Sequence, residues 1–381
     1  MRQGTLPIFA LVALYLAGVG AAAQIAKIIP VFGYLTDDIG ITLPQATLVM
    51  SAIGFAAVLL GSMAGRAVVD LGLWRVMCLA CALAIGAGLV LPLAGSMTTL
   101  LSLRVIEGLS HIAIVAAAPT LMMALVPKSR APLIMGVWAT FFGVAFGASQ
   151  AFALTGLADT APAAFLRWHV ILFLPAVFVA VHYWRAHRLP APRIAAWPLL
   201  PTELSREQLL VSGVFMLHAG LFTSMLAFAQ TRIGGDAGAA LAPILPLLSL
   251  AAAFLGAPVL LHAGALTIFV FGTAFVSVCL TLAWFHNPLL GYMGAFLGVG
   301  WMQVGVFAFI GELAKTQEEG SATNGAYTQL GNAGNIAIPY VVSATLTGWL
   351  GGQVELMLLL VVAGLLSLIL MPALQVQRHE V

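Results

Sequence analysis

The side chains of this sequence that could do chemistry are few, and they stand in apolar surroundings. Arg104, Glu107 and His111 follow one another at offsets of three and four, which puts them on one face of a helix. Arg104 can pair with Glu107, and Glu107 can reach His111, so this face offers a line of titratable groups able to relay a proton or bind a solute. The plainer alternative is an ion pair that satisfies only itself. An ionisable group at mid-bilayer costs roughly 2.5–3.5 kcal/mol on insertion scales, so such a group faces a partner or a watery cavity.

A second face carries Gly20, Gln24 and Lys27, followed by Pro30. Lys27 either snorkels outward or faces inward. Facing inward, Lys27 and Arg104 leave Glu107 as the obvious buried acid, and the positive surplus favours an anionic or electron-rich solute. Neutral polar groups gather further on: Tyr327, Thr328, Gln329, Asn332 and Asn335 among Gly325, Gly331 and Gly334, with Trp301 and Gln303 before them and Trp138 and Gln150 earlier. Aromatic walls with a few amides suit a planar or amphipathic organic ligand. The same amides and glycines also serve as helix-packing glue.

Soft metals were tested on Met216, His218 and Met225 and on Met77, Cys78 and Cys81. Sulfur with imidazole suits copper(I), but no repeated Met/His pair occurs, so no metal site is expected and His218 is grouped with the cavity residues. No cofactor is expected either. There is no phosphate loop, and no nucleophile–base pair or zinc-protease motif at depth. An ATP-driven machine and an enzyme are thereby set aside.

The elements that must position these residues are membrane spans. Of 381 residues, 62% are hydrophobic and 7% charged, against roughly 25% charged in a soluble domain. A soluble enzyme and a disordered chain are excluded. The net charge of +2, with no basic run, gives no nucleic-acid footprint. Apolar blocks fall at about 7–34, 44–69, 75–95, 97–126, 131–156 and 164–184, then at about 208–230, 238–261, 265–285, 288–312, 323–349 and 354–376. Each is about the length of a spanning helix. The first is too long for a cleavable leader and lacks a clear cleavage site.

The expected architecture is all-α, with twelve transmembrane helices in two pseudo-symmetric six-helix bundles, 1–184 and 208–381, joined by a polar linker at 185–207. With the N-terminus inside, Arg2, Arg66, Arg75, Lys128, Arg130, Arg185, Arg188, Arg193, Arg206, Lys315 and Arg378 fall on the cytoplasmic side, and only Arg167 and Arg232 fall outside. This bias puts both termini in the cytoplasm. Gly136-Val137-Trp138 and Gly325-Ala326-Tyr327 echo each other across the two halves, as expected of a transporter repeat with its site between halves at the midplane.

These features resemble the major facilitator superfamily. Its loop between spans two and three carries Gly, Asp and basic residues, and here it reads Gly65-Arg66-Ala67-Val68-Val69-Asp70-Leu71-Gly72-Leu73-Trp74-Arg75, with the spacing off by one on each side. The resemblance implies that Asp70 and Arg75 latch a cytoplasmic gate. Arg104-Val105-Ile106-Glu107-Gly108 is similar to the family's fourth-span pattern, which implies a functional Arg104 and proton coupling, with Glu107 in place of the usual amide. The fifth-span Gly-Pro pattern of drug/proton antiporters is absent around Gly136, Gly143 and Gly147, and the loop at His262-Ala263-Gly264 has lost its charged motif. The stretch from Arg104 to Gln150, with Pro119-Thr120-Leu121-Met122 and Gly136-Val137-Trp138, is also similar to the branch holding bacterial copper and riboflavin importers. The expected function is a monomeric, proton-coupled secondary active transporter in the cytoplasmic (inner) membrane, taking up a small organic solute by alternating access. A copper importer, a drug or metabolite exporter, and a non-transporting sensor on the same scaffold are the alternatives.

Overall fold

A computed structural model describes residues 5–127, 130–186, 204–313, 317–346 and 353–376. Among these every regular element is helical, and the chain divides into two compact units, 1–199 and 200–381. Most of the expected linker lies outside the described residues.

The first unit contains α1 (Thr5–Ala26), α2 (Phe32–Asp37), α3 (Leu43–Ser51), α4 (Gly54–Leu71), α5 (Leu73–Val90), α6 (Met97–Ala124), α7 (Ala131–Ala139), α8 (Phe141–Ala153), the short α9 (Leu157–Thr160) and α10 (Pro162–Phe165), a 3₁₀ segment (Trp168–Phe173) and α11 (Leu174–Ala186). The second contains α12 (Arg206–Ile233), α13 (Gly235–Leu241), α14 (Leu245–Phe285), α15 (Pro288–Leu313), α16 (Gln317–Leu346) and α17 (Val354–Val376).

Local chemistry sets the boundaries. Pro30 has no N–H to give the Ala26 carbonyl, so α1 stops there and passes through a 3₁₀ turn, Ile29–Val31, into α2. Capping boxes start α3 (Thr42 with Gln45), α6 (Ser96 with Thr99) and α12 (Ser205 with Gln208), each satisfying two backbone donors that a helix start leaves free. Gly72, at φ 93°, is the single residue between α4 and α5. A side chain is strained there, which accounts for the second glycine of the loop motif, Gly72.

Among the described residues, eight helical segments are long and apolar enough to span a membrane: Ile8–Asp37, Leu43–Gly65, Leu73–Leu93, Met97–Ala124, Pro162–Arg185, Arg206–Ile233, Ala263–Phe285 and Pro288–Phe309. A ninth is a pair bent by 49°, Gly235–Leu241 with Leu245–Gly256. They match nine of the twelve expected blocks. The other three are helical but fall short among the described residues. The fifth block is interrupted at Thr140 between α7 and α8, leaving Val137–Ala153; the twelfth leaves Val354–Leu366; and α16 is long but rich in amides. Within α14 the eighth and ninth blocks are two helices that meet at a kink, Gly264 (φ 77°, ψ 162°). Only glycine takes that conformation readily.

The core of the first unit is small-residue packing: Leu14, Ala17 and Ala21 of α1 against Met77, Cys81 and Ala84 of α5, Ile114 and Ala118 of α6, and Phe173 and Ala176. Alanines let helix backbones approach closely where lipid offers no hydrophobic drive. Cys78, Cys81 and Cys279 are unpaired and buried.

Candidate functional site

In the first unit, three spans lose helical regularity around one buried charge cluster. Two of the irregularities are the end of α1 at Ala26 and the break between α3 and α4 at Ala52–Ile53; the third is the 3₁₀ start of the sixth span at Trp168–Phe173. Irregular backbone at membrane depth is tolerated where protein buries it or where it lines a cavity. Around the α3–α4 break the backbone bonds run from Ala52 to Leu48 and from Phe55 to Ala52. The Val49 and Met50 carbonyls turn instead to Arg104, accepting from Nε and Nη2 at 2.8 Å each. Beyond α1, Ile28 bonds Ile25, and the Gln24 carbonyl accepts from Arg104 Nη1 at 2.7 Å. One guanidinium thus ties two loosened helix ends to α6, where orphan carbonyls carry partial negative charge.

The same guanidinium pairs with Glu107 Oε2, while Lys27 Nζ donates to Glu107 Oε1 at 2.6 Å. His169 Nε2 lies 3.3 Å from Lys27 Nζ and 3.9 Å from Glu107 Oε1. Lys27, Arg104, Glu107 and His169 are all 0% exposed. Lys27 therefore does not snorkel: Glu107 holds it inside. His111 is half-buried, and its Nδ1 meets the Ala21 carbonyl at 2.9 Å rather than the Glu107 carboxylate. Gln24 Nε2 donates to Ser110 at 3.1 Å, and Ser110 donates to the Glu107 carbonyl at 2.7 Å. Two cations face one carboxylate, so the buried cluster carries a positive surplus when His169 is neutral.

The remaining cavity candidates are spread across both units. In the first, Trp138 packs over Gly18 and stacks on Phe141 at 4.6 Å, within the apolar core. Gln150 is buried on α8. In the second, Tyr327 is buried, donates to the Val306 carbonyl at 2.9 Å and stacks on Phe215 at 4.8 Å. His218 is buried one turn from Phe215, with Nδ1 unpartnered. Asn335 bonds the Thr223 hydroxyl between α12 and α16, and Asn332 donates to the Thr328 carbonyl one turn back at 2.8 Å. Trp301 sits between Phe271 and Phe275, and Gln303 is half-buried. Of the gate pair, Arg75 donates to the Leu71 carbonyl at 3.0 Å, with its guanidinium 5.8 Å from the Trp184 ring centre; Asp70 is half-buried at the end of α4. Among the described residues, no three His, Cys, Asp or Glu side chains are grouped to hold a metal.

Three functional-looking residues escaped the sequence reading. His169 was the most findable, since it is an ionisable residue in an apolar block, the criterion that singled out Arg104. Arg232 reads in sequence only as a charge outside the membrane. The structure pairs it with Glu355 through Nε and Nη2 at 2.8 and 2.9 Å, with Tyr292 donating to the same carboxylate at 3.2 Å and Glu355 fully buried. This ties α12, α15 and α17 together within the second unit.

Comparison with known proteins agrees with this architecture. The Major Facilitator Superfamily profile matches residues 14–339. A mutant of the nucleoside transporter NupG superposes with a TM-score of 0.74 at 12% identity, covering 96% of this chain and 98% of that one. A bacterial homologue of the human lysosomal transporter Spinster superposes with a TM-score of 0.70 at 13% identity, covering 96% of each chain. No protein of curated function matches the sequence.

Proposed function

Because this chain belongs to the Major Facilitator Superfamily, and so is a multi-pass membrane transporter rather than an enzyme, we propose that it takes up a small organic solute by alternating access, driven by a proton. The carrying observation is the fully buried Lys27–Glu107–Arg104 cluster of the first unit. Charges shut away from water are retained in membranes chiefly where they bind, relay or switch. In this reading Arg104, Glu107 and His111 serve coupling or binding. The positive surplus beside Gln24 and Gln150 favours a planar solute that is anionic or electron-rich, and the nucleoside transporter among the structural neighbours supports such a solute class. His218, Trp301, Gln303, Tyr327, Asn332 and Asn335 are the proposed solute contacts of the second unit, and Asp70 with Arg75 the cytoplasmic latch. The inside-positive charge distribution supports the inner membrane with both termini cytoplasmic.

A thermal-shift panel of uridine, riboflavin, citrate and copper(I), followed by uptake into proteoliposomes under an imposed proton gradient, tests the reading. The expected result is a solute that stabilises the protein and accumulates only with the gradient. Glu107→Gln is expected to retain counterflow exchange while losing gradient-driven accumulation. Accumulation that ignores the gradient refutes proton coupling.

A further inference from the structure

Resting on that reading of a proton-coupled transporter, we propose that Lys27, rather than Glu107, carries the coupled proton, and that His169 is the residue through which it is exchanged with water. Glu107 is held by a cation on each carboxylate oxygen, so protonating it would leave two buried cations without a counter-charge. Removing a proton from Lys27 has the opposite effect: the Arg104–Glu107 pair remains, and the cluster becomes neutral. Among the three charged groups, only Lys27 can shed its surplus while every other ion keeps a partner.

The surroundings of Lys27 supply the exit. Glu107 and Arg104 face it from α6 and His169 from the 3₁₀ segment, His111 of α6 turns to the Ala21 carbonyl, and the uncharged Ser149 and Gln150 are buried on α8, which packs along α1. Asp37 and Asp38 are exposed at the end of α2. Lys27 donates to His169 Nε2, which fixes neutral His169 with its proton on Nδ1. That Nδ1 is buried without a hydrogen-bond partner. It is one of four buried polar atoms without a partner in this part of the unit, the others being Gln24 Oε1, Ser149 Oγ and Trp168 Nε1. They belong to the three elements that meet here, α1, α8 and the 3₁₀ segment, the last two joined by Phe152 against Trp168 at 5.7 Å. Buried polar atoms left without a protein partner are the usual contacts of buried water, and the exchanging water of the proposed step is placed there.

The step balances without a further reactant. Lys27 Nζ passes a proton to the Nε2 lone pair of His169, leaving a neutral amine and an imidazolium. The imidazolium releases its Nδ1 proton to water, leaving neutral His169 as the Nε2–H tautomer beside the Lys27 amine. One proton leaves and the cluster charge falls by one; uptake is the reverse.

The chain has three lysines, Lys27, Lys128 and Lys315, so selective ¹⁵N-lysine and ¹⁵N-histidine labelling of the full chain in nanodiscs gives a readable spectrum. Lys27→Gln and His169→Gln assign the two signals. The expected result is a Lys27 signal that switches reversibly between ammonium and amine with pH while Lys128 and Lys315 stay ammonium. His169 is expected as the Nδ1–H tautomer, and His169→Gln to slow the Lys27 exchange at least about tenfold. A Lys27 signal that stays ammonium alongside the other two, or an Nε2–H tautomer at His169 while Lys27 is ammonium, overturns the proposal. Lys27→Arg keeps a permanent charge and is expected to retain the wild-type elution profile while the ratio of gradient-driven uridine uptake to uridine counterflow falls about 100-fold. Uptake still driven by the gradient in Lys27→Arg overturns the role of Lys27 alone. Wild-type uridine uptake that ignores the gradient counts against proton coupling itself.

Discussion

Removing Glu107 and removing Lys27 break the same 2.6 Å contact but are expected to differ sharply in cost. The attraction across that contact is about 6 kcal/mol at an effective dielectric of ~20, and most of it is offset by the desolvation of both ions. What remains depends on which ions are left behind. Glu107→Gln leaves Lys27 and Arg104 facing each other, fully buried, and is expected to cost about 3–5 kcal/mol, as when a buried pair loses one member. Lys27→Met leaves the Arg104–Glu107 pair intact and neutral, and its cost is expected to be about 1–2 kcal/mol, a lost charged hydrogen bond partly repaid by relief from desolvation. The double variant restores a single buried cation held by the Val49, Met50 and Gln24 carbonyls. It is expected to be more stable than Glu107→Gln alone. Thermal unfolding of the four proteins in one detergent, read as a double-mutant cycle, measures the coupling. Equal costs for the two single variants, or a double variant that is merely additive, would refute the charge bookkeeping.

Other expectations follow from single contacts. Gly108→Ala places a methyl group against the Ile53 carbonyl and 3.2 Å from the Ala56 Cβ, and is expected to lower stability by about 1–3 kcal/mol through overpacking; an unchanged melting temperature would show that α4 and α6 are free to separate. Glu355→Gln is expected to cost about 1–2 kcal/mol, discounted because the Arg232 side chain is 34% exposed, and Tyr292→Phe about 1 kcal/mol or less. The reverse order in melting curves would mean that the tyrosine, not the ion pair, holds α12 to α17. Asp70→Asn is expected to slow turnover more than it weakens solute binding, and a loss confined to affinity would remove the latch assignment.

Fold class was legible because composition alone forces it: at 7% charge, long apolar blocks have no place but the membrane. Arg104 and Glu107 were legible for a related reason, since their cost in lipid marks them. Their partners were less so. Helical spacing relates residues on one element, and it proposed His111 as the neighbour of Glu107; the neighbours found, Lys27 and His169, come from other elements, 80 and 62 positions away in sequence. The pairing of Arg232 with Glu355 was not legible, because a charge at the end of an apolar block shows no partner until the facing helix is known. The amides of α16 were seen as a group, but not which of them serve packing. Asn335 meets Thr223 at a point where Gly220 and Gly334 allow two backbones to touch, a fact of helix proximity that no periodicity contains. The single-residue joint at Gly264 was likewise hidden, because two apolar blocks separated by a short polar stretch read the same whether a loop or a kink joins them.

The way Arg104 is bound has a consequence for genetics. Its guanidinium splices the frayed carbonyls of two other spans to its own, so any replacement, lysine included, dismantles a three-way joint before it touches a proton or a solute. A loss-of-function scan will rank this arginine first and say least about chemistry there. The milder phenotypes of its neighbours, whose side chains bridge groups rather than brace backbone, are the ones that discriminate between a working part and a strut.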